Sequence, residues 1–348
     1  MGQPRRLRAG DLATRPLRRA AGCVGGRARS QRGSPLSPLA AVVLITGHTG
    51  FAGRHLADLC RHAGDEVIGA ARATGVDLLD GDALRRTVAH ARPSVVYHLA
   101  ARAQVGRSWR EPAATLHENV AMTLNLLEAV RLEAADAAVV SVSSGEVYGV
   151  PDRLPADEST PLRPQSPYAV SKASADLLCG FYADAHGLRV TRARAFNHAG
   201  PGQPPHHAVA SLALQLADGL EAGVERPRIV TGSPQVRRDY TDVRDVVRAY
   251  RRLAAAPPGV YNVCSGRTVA TRELVDALGR LAGTPVEHVV DPELVRPHEV
   301  LEISGSATRL ERAAGWRPEL PLEQTLADTV EWWRGELRAG RAPAHRHE

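Results

Sequence analysis

The chain has 348 residues, 43% of them hydrophobic, and a formal net charge of +6. That length allows one large domain or two small ones around a real core, and the absence of any apolar run of about 18 residues excludes a membrane-spanning helix. The charge is lopsided: residues 1–40 hold nine Arg and a single acid, Asp11, which leaves −2 for the other 308. Residues 41–46 form an apolar run that predicts a buried strand, followed by helical spacing over 51–63. Residues 66–71 and 94–100 predict further strands, with a short one between them ahead of Asp77. An amphipathic helix is predicted over 115–132, with Leu124, Leu127 and Val130 on one face. Residues 137–144 predict a strand, 168–185 a helix and 189–196 a strand. Strands alternating with helices imply an α/β fold, a doubly wound Rossmann-type parallel sheet over 41–196. Beyond Asn197, Pro and Gly become frequent. Helical segments near 206–222, 271–282 and 321–336 predict a smaller C-terminal α/β lobe over 197–337, with 228–250 returning to the main sheet.

The leader, residues 1–40, is rich in Pro, Gly, Ser and Arg and lacks aromatics, so it reads as a disordered extension and not as a nucleic-acid-binding patch. Residues 338–348 read as a disordered tail. The four cysteines, Cys23, Cys60, Cys179 and Cys264, include no C-x-x-C pair. Their scatter argues against a zinc site or a disulfide framework and suits a reducing cytoplasm. His98 closes a strand with no second ligand at metal spacing, so it reads as a packed histidine, and no metal is expected.

One lysine, Lys172, stands among 43 arginines, four residues after Tyr168. Charge alone does not explain why this position is not Arg; a compact ammonium on a flexible stem differs from a planar guanidinium fork. On a helix, Tyr168 and Lys172 share a face. A nearby cation lowers a phenol pKa from about 10 toward working pH, which predicts a tyrosine acting as general acid or base. Thr46-Gly47-His48-Thr49-Gly50-Phe51-Ala52-Gly53 joins the first strand to the first helix. Glycines there allow a tight turn whose backbone N–H groups approach a pyrophosphate, making Gly47, Thr49, Gly50, Phe51 and Gly53 candidate dinucleotide contacts. The second strand ends in Ala70-Ala71-Arg72, with no acid for a ribose 2′-hydroxyl. Arg72 suits a 2′-phosphate and favours NADP(H), with NAD(H) the alternative. Asp77 and Leu78 are candidates for the adenine.

These motifs, with His98-Leu99-Ala100-Ala101, Ser143-Ser144-Gly145-Glu146-Val147-Tyr148-Gly149 and Tyr168-x-x-x-Lys172 in this order, resemble the extended short-chain dehydrogenase/reductases, the nucleotide-sugar epimerases, dehydratases and reductases. The resemblance covers about residues 41–336 and implies a catalytic set of Ser144, Tyr168 and Lys172, with Ala100 beside the cofactor. Ser144 would bond the substrate oxygen, Tyr168 pass the proton, and Lys172 hold the nicotinamide ribose. Phe196-Asn197-His198-Ala199-Gly200-Pro201-Gly202-Gln203 resembles a loop that holds a sugar-nucleotide diphosphate, with Asn197 its candidate contact. Arg238, in Arg237-Arg238-Asp239-Tyr240-Thr241-Asp242, is the matching phosphate contact. Arg296-Pro297-His298-Glu299 resembles a segment of GDP-mannose enzymes in which the Arg meets the diphosphate and the acid the ribose hydroxyls. Ser108 is a further substrate candidate, and Trp316 reads as core packing.

Within that GDP-mannose branch the motifs are most like GDP-4-keto-6-deoxy-D-mannose reductases, which implies an NADPH-dependent reduction at C4 giving a GDP-rhamnose type product. GDP-mannose 4,6-dehydratases come next, and for them Glu146 would be the C5 base. A non-catalytic cofactor-binding regulator is the alternative of another class, but Tyr168 and Lys172 are both retained. The resemblance also implies a homodimer or dimer of dimers through the helices containing 115–132 and 168–185, where Leu177, Leu178 and Phe181 suit an interface.

Overall fold

The computed structural model describes residues 41–295 and 300–342. β1 (Val42–Thr46) leads into α1 (Phe51–His62), β2 (Glu66–Ala70), α2 (Gly81–Ala91) and β3 (Val95–His98). Then come α3 (Val105–Arg110), α4 (Pro112–Glu133), β4 (Ala138–Ser144), α5 (Pro167–His186) and β5 (Arg189–Ala195). β6 (Asn197–Ala199), α6 (Ala208–Glu221), β7 (Arg228–Thr231), β8 (Arg237–Asp242), α7 (Val243–Leu253) and β9 (Gly259–Val263) follow. The chain ends with β10 (Thr268–Ala270), α8 (Thr271–Ala282), β11 (Glu287–Val290), β12 (Glu302–Ile303), α9 (Thr308–Ala314) and α10 (Leu322–Arg338).

The central sheet is parallel throughout, in the order β2-β1-β3-β4-β5-β9. Helices cover both its faces, which is why β1 and the start of β4 are continuous apolar runs, whereas β5 interleaves Arg192 and Arg194, both paired with Asp176. Val43 and Ile45 of β1 point into one core with Leu56, Val246 and Tyr250, under α1 and α7. Leu44 points into the other, with Leu126, Val130 and Val139, under α2, α4 and α5. A third core, including Leu212, Leu278, Leu326 and Trp333, joins α6, α8 and α10 in the lobe. Trp316 is 1% exposed in the first core and donates its indole N–H to the Asp245 carbonyl.

Four expectations change. The short strand before Asp77 is absent; a 3-10 turn, Arg72–Thr74, takes its place. From 228–250 only α7 lies against the main sheet. β7 pairs with β11, β8 sits among β6, β10 and β12, and the strand that rejoins the sheet is β9. Leu124 does not share the buried face of Leu127 and Val130: it is 39% exposed, because the buried stripe of α4 runs through Met122, Leu126, Leu127 and Val130. α10 extends to Arg338, which pairs with Glu221, so the described chain stays ordered past the expected start of the tail. Residues 1–40 and 343–348 lie outside the described residues, as do Arg296 and Glu299.

The lobe is tied to the sheet by three buried aspartates. Asp239 accepts from the Ser265 hydroxyl and the Gly266 N–H at 2.6 and 2.8 Å. Asp242 caps α7 through the Arg244 N–H and accepts from the Thr325 hydroxyl at 2.8 Å. Asp245 takes the N–H groups of Glu319 and Leu320 at 2.8 and 2.9 Å.

Candidate active site

A cavity of about 440 Å³ opens at the C-terminal ends of β1, β4 and β5, where a doubly wound sheet places its ligands. Its rim begins at the glycine loop. Gly47 has φ +71°, and a Cβ there would stand 2.9 Å from the Ala100 backbone, so only glycine permits this approach of β1 to the end of β3. A Cβ at Gly53 would meet the Gly47 carbonyl at 2.1 Å. Gly50 caps α1 with no side-chain hydrogen bond and no acid in the first turn, which leaves the helix N-terminus suited to an anion. Gly47, Thr49, Gly50, Phe51 and Gly53 all line the cavity. Ala100 lies behind it, its N–H donating to the Thr46 hydroxyl, while Leu99 and Ala101 form the wall.

Ser144, Glu146, Tyr168, Lys172 and Asn197 line the same cavity. Ser144 ends β4 and is buried; its Oγ accepts from the Glu146 N–H at 3.2 Å, and both Ser144 and Tyr168 line the cavity. Tyr168 occupies the first turn of α5, whose start is fixed by the Ser166 hydroxyl accepting from the Ala169 N–H. Lys172 follows one turn later and is 7% exposed.

The electrostatics differ from the sequence expectation. Tyr168 is pushed well above the usual phenol range, first by burial and then by the Glu146 charge, with the Ser144 hydrogen bond acting in the opposite sense. Lys172 does not offset this. Its ammonium donates to the Val142 carbonyl, and burial lowers its pKa to about 8. In this state of the site Tyr168 is held as an acid.

The adenosine-side candidates lie apart. Arg72, directly after β2, pairs with Asp77 at 3.2 Å and with Glu118 at 3.7 Å, and is 60% exposed. The Asp77 carboxylate is lowered chiefly by the Leu79 N–H, then by Arg72, while Leu78 is buried in the core. Ser108 is fully buried and donates back to the Val105 carbonyl, a turn of α3 away from the cavity lining. Arg238 bonds the Arg237 carbonyl at 2.9 Å and sits beside Tyr240, which does line the cavity. His98 bridges Thr46 and Thr123 at 2.8 and 3.0 Å, fully engaged and held neutral by burial.

Several lining residues escaped the sequence reading. His198 stacks on Phe51 with ring centres 5.9 Å apart and planes 10° apart. Beside it, His55 donates to the Pro201 carbonyl at 2.9 Å and Arg54 to that of Gly202 at 3.2 Å, so α1 carries the 196–203 loop. Gln203, His207, Tyr240 and Tyr250 complete the wall. The loop motif marked this region as a unit, but only contacts across more than a hundred residues show which of its side chains turn inward.

The residues present fit a dinucleotide. The cradle closes where a Cβ would collide, the helix start is uncapped, and the hydroxyls of Ser143 and Tyr250 lie buried on the cavity without a partner among the described residues. Among the described residues no three His, Cys, Asp or Glu side chains cluster as metal ligands would.

The family model for GDP-mannose 4,6-dehydratase matches residues 44–329. The GDP-6-deoxy-D-mannose reductase of Pseudomonas aeruginosa is 37% identical over 300 residues, 85% of this chain and 98% of that protein. The GDP-mannose 4,6-dehydratase of Vibrio cholerae is 27% identical over 346 residues, covering 83% of this chain and 92% of its own. Among solved structures, RMD from Pseudomonas aeruginosa complexed with NADPH superposes with TM-score 0.77 at 37% identity, over 84% of this chain and 99% of that one. UDP-glucose 4-epimerase from Thermotoga maritima with UDP-glucose gives TM-score 0.77 at 30% identity, over 85% and 99%.

Proposed function

Since the chain belongs to the GDP-mannose 4,6-dehydratase family of extended short-chain dehydrogenase/reductases, we propose that it reduces the C4 ketone of GDP-4-keto-6-deoxy-D-mannose with NADPH. One observation carries this reading: Ser144, Tyr168 and Lys172 line one cavity in a chain 37% identical to a GDP-6-deoxy-D-mannose reductase over 98% of that protein. A ketone reductase needs a proton donor at the nascent alkoxide, whereas a dehydratase must first oxidise the C4 alcohol and so begins with a base. When bound, the cofactor supplies the hydride. Ser144 orients the ketone oxygen, Tyr168 hands it a proton, and Lys172 turns from the Val142 carbonyl to hold the nicotinamide ribose. Glu146 acts through charge.

Asn197 and Arg238 are assigned to the diphosphate, as is Arg296, and Glu299 is assigned to the ribose hydroxyls. Arg72 is assigned to the 2′-phosphate, exchanging its carboxylate partners for the stronger charge of a phosphate. Leu116, Leu124, Val170, Leu177 and Phe181 are exposed large apolar residues of the packed helices α4 and α5. We assign them to a homodimer interface, the basis of a dimer or a dimer of dimers. Cys60, Cys179 and Cys264 are free and buried, and no described helix is long and apolar enough to cross a membrane; both suit work in the cytoplasm.

Glu146 on the cavity wall sustains a second reading, the dehydratase, with this carboxylate as C5 base. Purified enzyme with GDP-4-keto-6-deoxy-D-mannose separates them. The reductase oxidises one NADPH per sugar. A dehydratase returns its own hydride, consumes no NADPH and releases water from GDP-mannose.

A further inference from the structure

Tyr250 stands outside the Ser144–Tyr168–Lys172 set. It lies in α7 and is 0% exposed, yet its ring reaches the cavity, and its hydroxyl has no hydrogen-bond partner among the described residues. Leaving a buried hydroxyl unpaired is costly, and a phenylalanine would pack there without that cost. The neighbours that share this side of the cavity are carbon surfaces: Phe51, Leu99, Val142 and Ala195, all in or against the core beneath α1 and α7. The result is a mainly apolar slot with the unengaged Tyr250 hydroxyl in its floor, on the same cavity as Tyr168 and the unengaged Ser143 hydroxyl.

The chemistry of such a slot is specific. It suits a flat ring with one polar substituent and rejects a sugar or a phosphate, whose several polar groups would go unpaired against Phe51, Leu99 and Val142. The uncapped start of α1 fits a pyrophosphate, and Arg72 and Asp77 mark the adenosine end beyond β2. The slot residues share the cavity with the Ser144–Tyr168 pair, while Arg72 and Asp77 do not line it.

We propose that Tyr250 is the anchor of the nicotinamide, its hydroxyl bonding the carboxamide while Phe51, Leu99, Val142 and Ala195 cover one face of the ring. This leaves the other face for the sugar. The inference rests on the NAD(P)H reading of the cavity and deepens it by naming a residue that holds the reactive end of the cofactor.

The test is equilibrium binding of two ligands to the full chain and to Tyr250→Phe. NADPH is followed by its fluorescence, and adenosine 2′,5′-bisphosphate, which lacks the nicotinamide, by calorimetry. The variant is expected to bind NADPH about 5–10-fold more weakly, the loss of one hydrogen bond. It should bind the bisphosphate as wild type does and, without ligand, melt no lower than wild type, since it removes an unpaired polar group. Unchanged NADPH affinity would overturn the inference, because the hydroxyl would then be satisfied by something other than the cofactor, such as a buried water. Equal weakening of both ligands would overturn it too, marking a general distortion. Wild-type protein that binds neither ligand would instead overturn the cofactor reading beneath it.

Discussion

The cofactor side and the lobe side of the cavity are built by different means. On the cofactor side the shape is made by backbone: Gly47 against Ala100, Gly53 against the Gly47 carbonyl, an uncapped α1, and strands whose apolar residues fill both faces of one sheet. On the lobe side it is made by buried carboxylates reaching across the chain, Asp239 to Ser265, Asp242 to Thr325 and Asp245 to Glu319. A backbone-built site needs only small residues in the right order. A carboxylate-built one needs charged groups whose partners must all be present, since a buried charge left alone is far more costly than one never introduced.

The widest separation of the two regions should come from a pair of variants. Tyr168→Phe is expected to lower kcat by about 10²–10⁴-fold, the usual range for a lost general acid, with no loss of thermal stability. Asp245→Ala should do the reverse. It frees the N–H groups of Glu319 and Leu320 and takes from Arg248 one of its two carboxylate partners, leaving Glu319, and should lower the unfolding free energy by about 2–4 kcal/mol in a denaturant titration. If Asp245→Ala were neutral, the lobe would not be held in the way described.

Lys172 offers a pH test. Its folded-state pKa of about 8 lies below the ordinary 10.5, so the buried ammonium opposes folding fully below pH 8, and the penalty fades as pH rises toward 10.5. Between those limits the unfolded chain binds more protons, and stability from this group rises with pH. Lys172→Met should therefore be more stable than wild type at neutral pH, by up to about 3 kcal/mol at 1.36 kcal/mol per pK unit, with the gap closing above pH 8. A pH-independent gap would show that the ammonium is not desolvated. Taking the difference between variant and wild type removes the opposing contribution of Cys60, whose thiol burial raises to about 11.

Smaller effects sharpen the cofactor side. Gly53→Ala places a methyl 2.1 Å from the Gly47 oxygen and should cost about 1–3 kcal/mol together with most NADPH binding, read by melting and fluorescence titration. Arg72→Ala should weaken NADPH about 5–10-fold and leave NADH unchanged. Equal effects on both cofactors would remove Arg72 from the 2′-phosphate.

The same contrast decides what was legible in the sequence. The central strands announce themselves because both sheet faces are buried, and the glycine turn because its spacing is local. Ser144, Tyr168 and Lys172 fall on one wall because β4 and α5 are neighbours in the sheet's winding. What was hidden depends on distant partners. Leu124 looks like a core residue until α4 is docked and its buried stripe is set. Ser108 turns inward because its own helix offers it the Val105 carbonyl. Lys172 takes the Val142 carbonyl, so spacing alone misjudged what sets the Tyr168 pKa. In Arg237-Arg238-Asp239-Tyr240-Thr241-Asp242 the resemblance spoke only for Arg238, while Asp239 and Asp242 tie across the lobe to Ser265 and Thr325, partners at least 26 residues away.

The most direct test of the central claim is the fate of the transferred hydrogen. NADPH deuterated at the nicotinamide C4 is supplied with GDP-4-keto-6-deoxy-D-mannose, and the product sugar is read by NMR. The account predicts deuterium on sugar C4, one per NADPH oxidised, with no exchange at C5. Unlabelled sugar, or solvent hydrogen entering at C5 with no NADPH consumed, would contradict it.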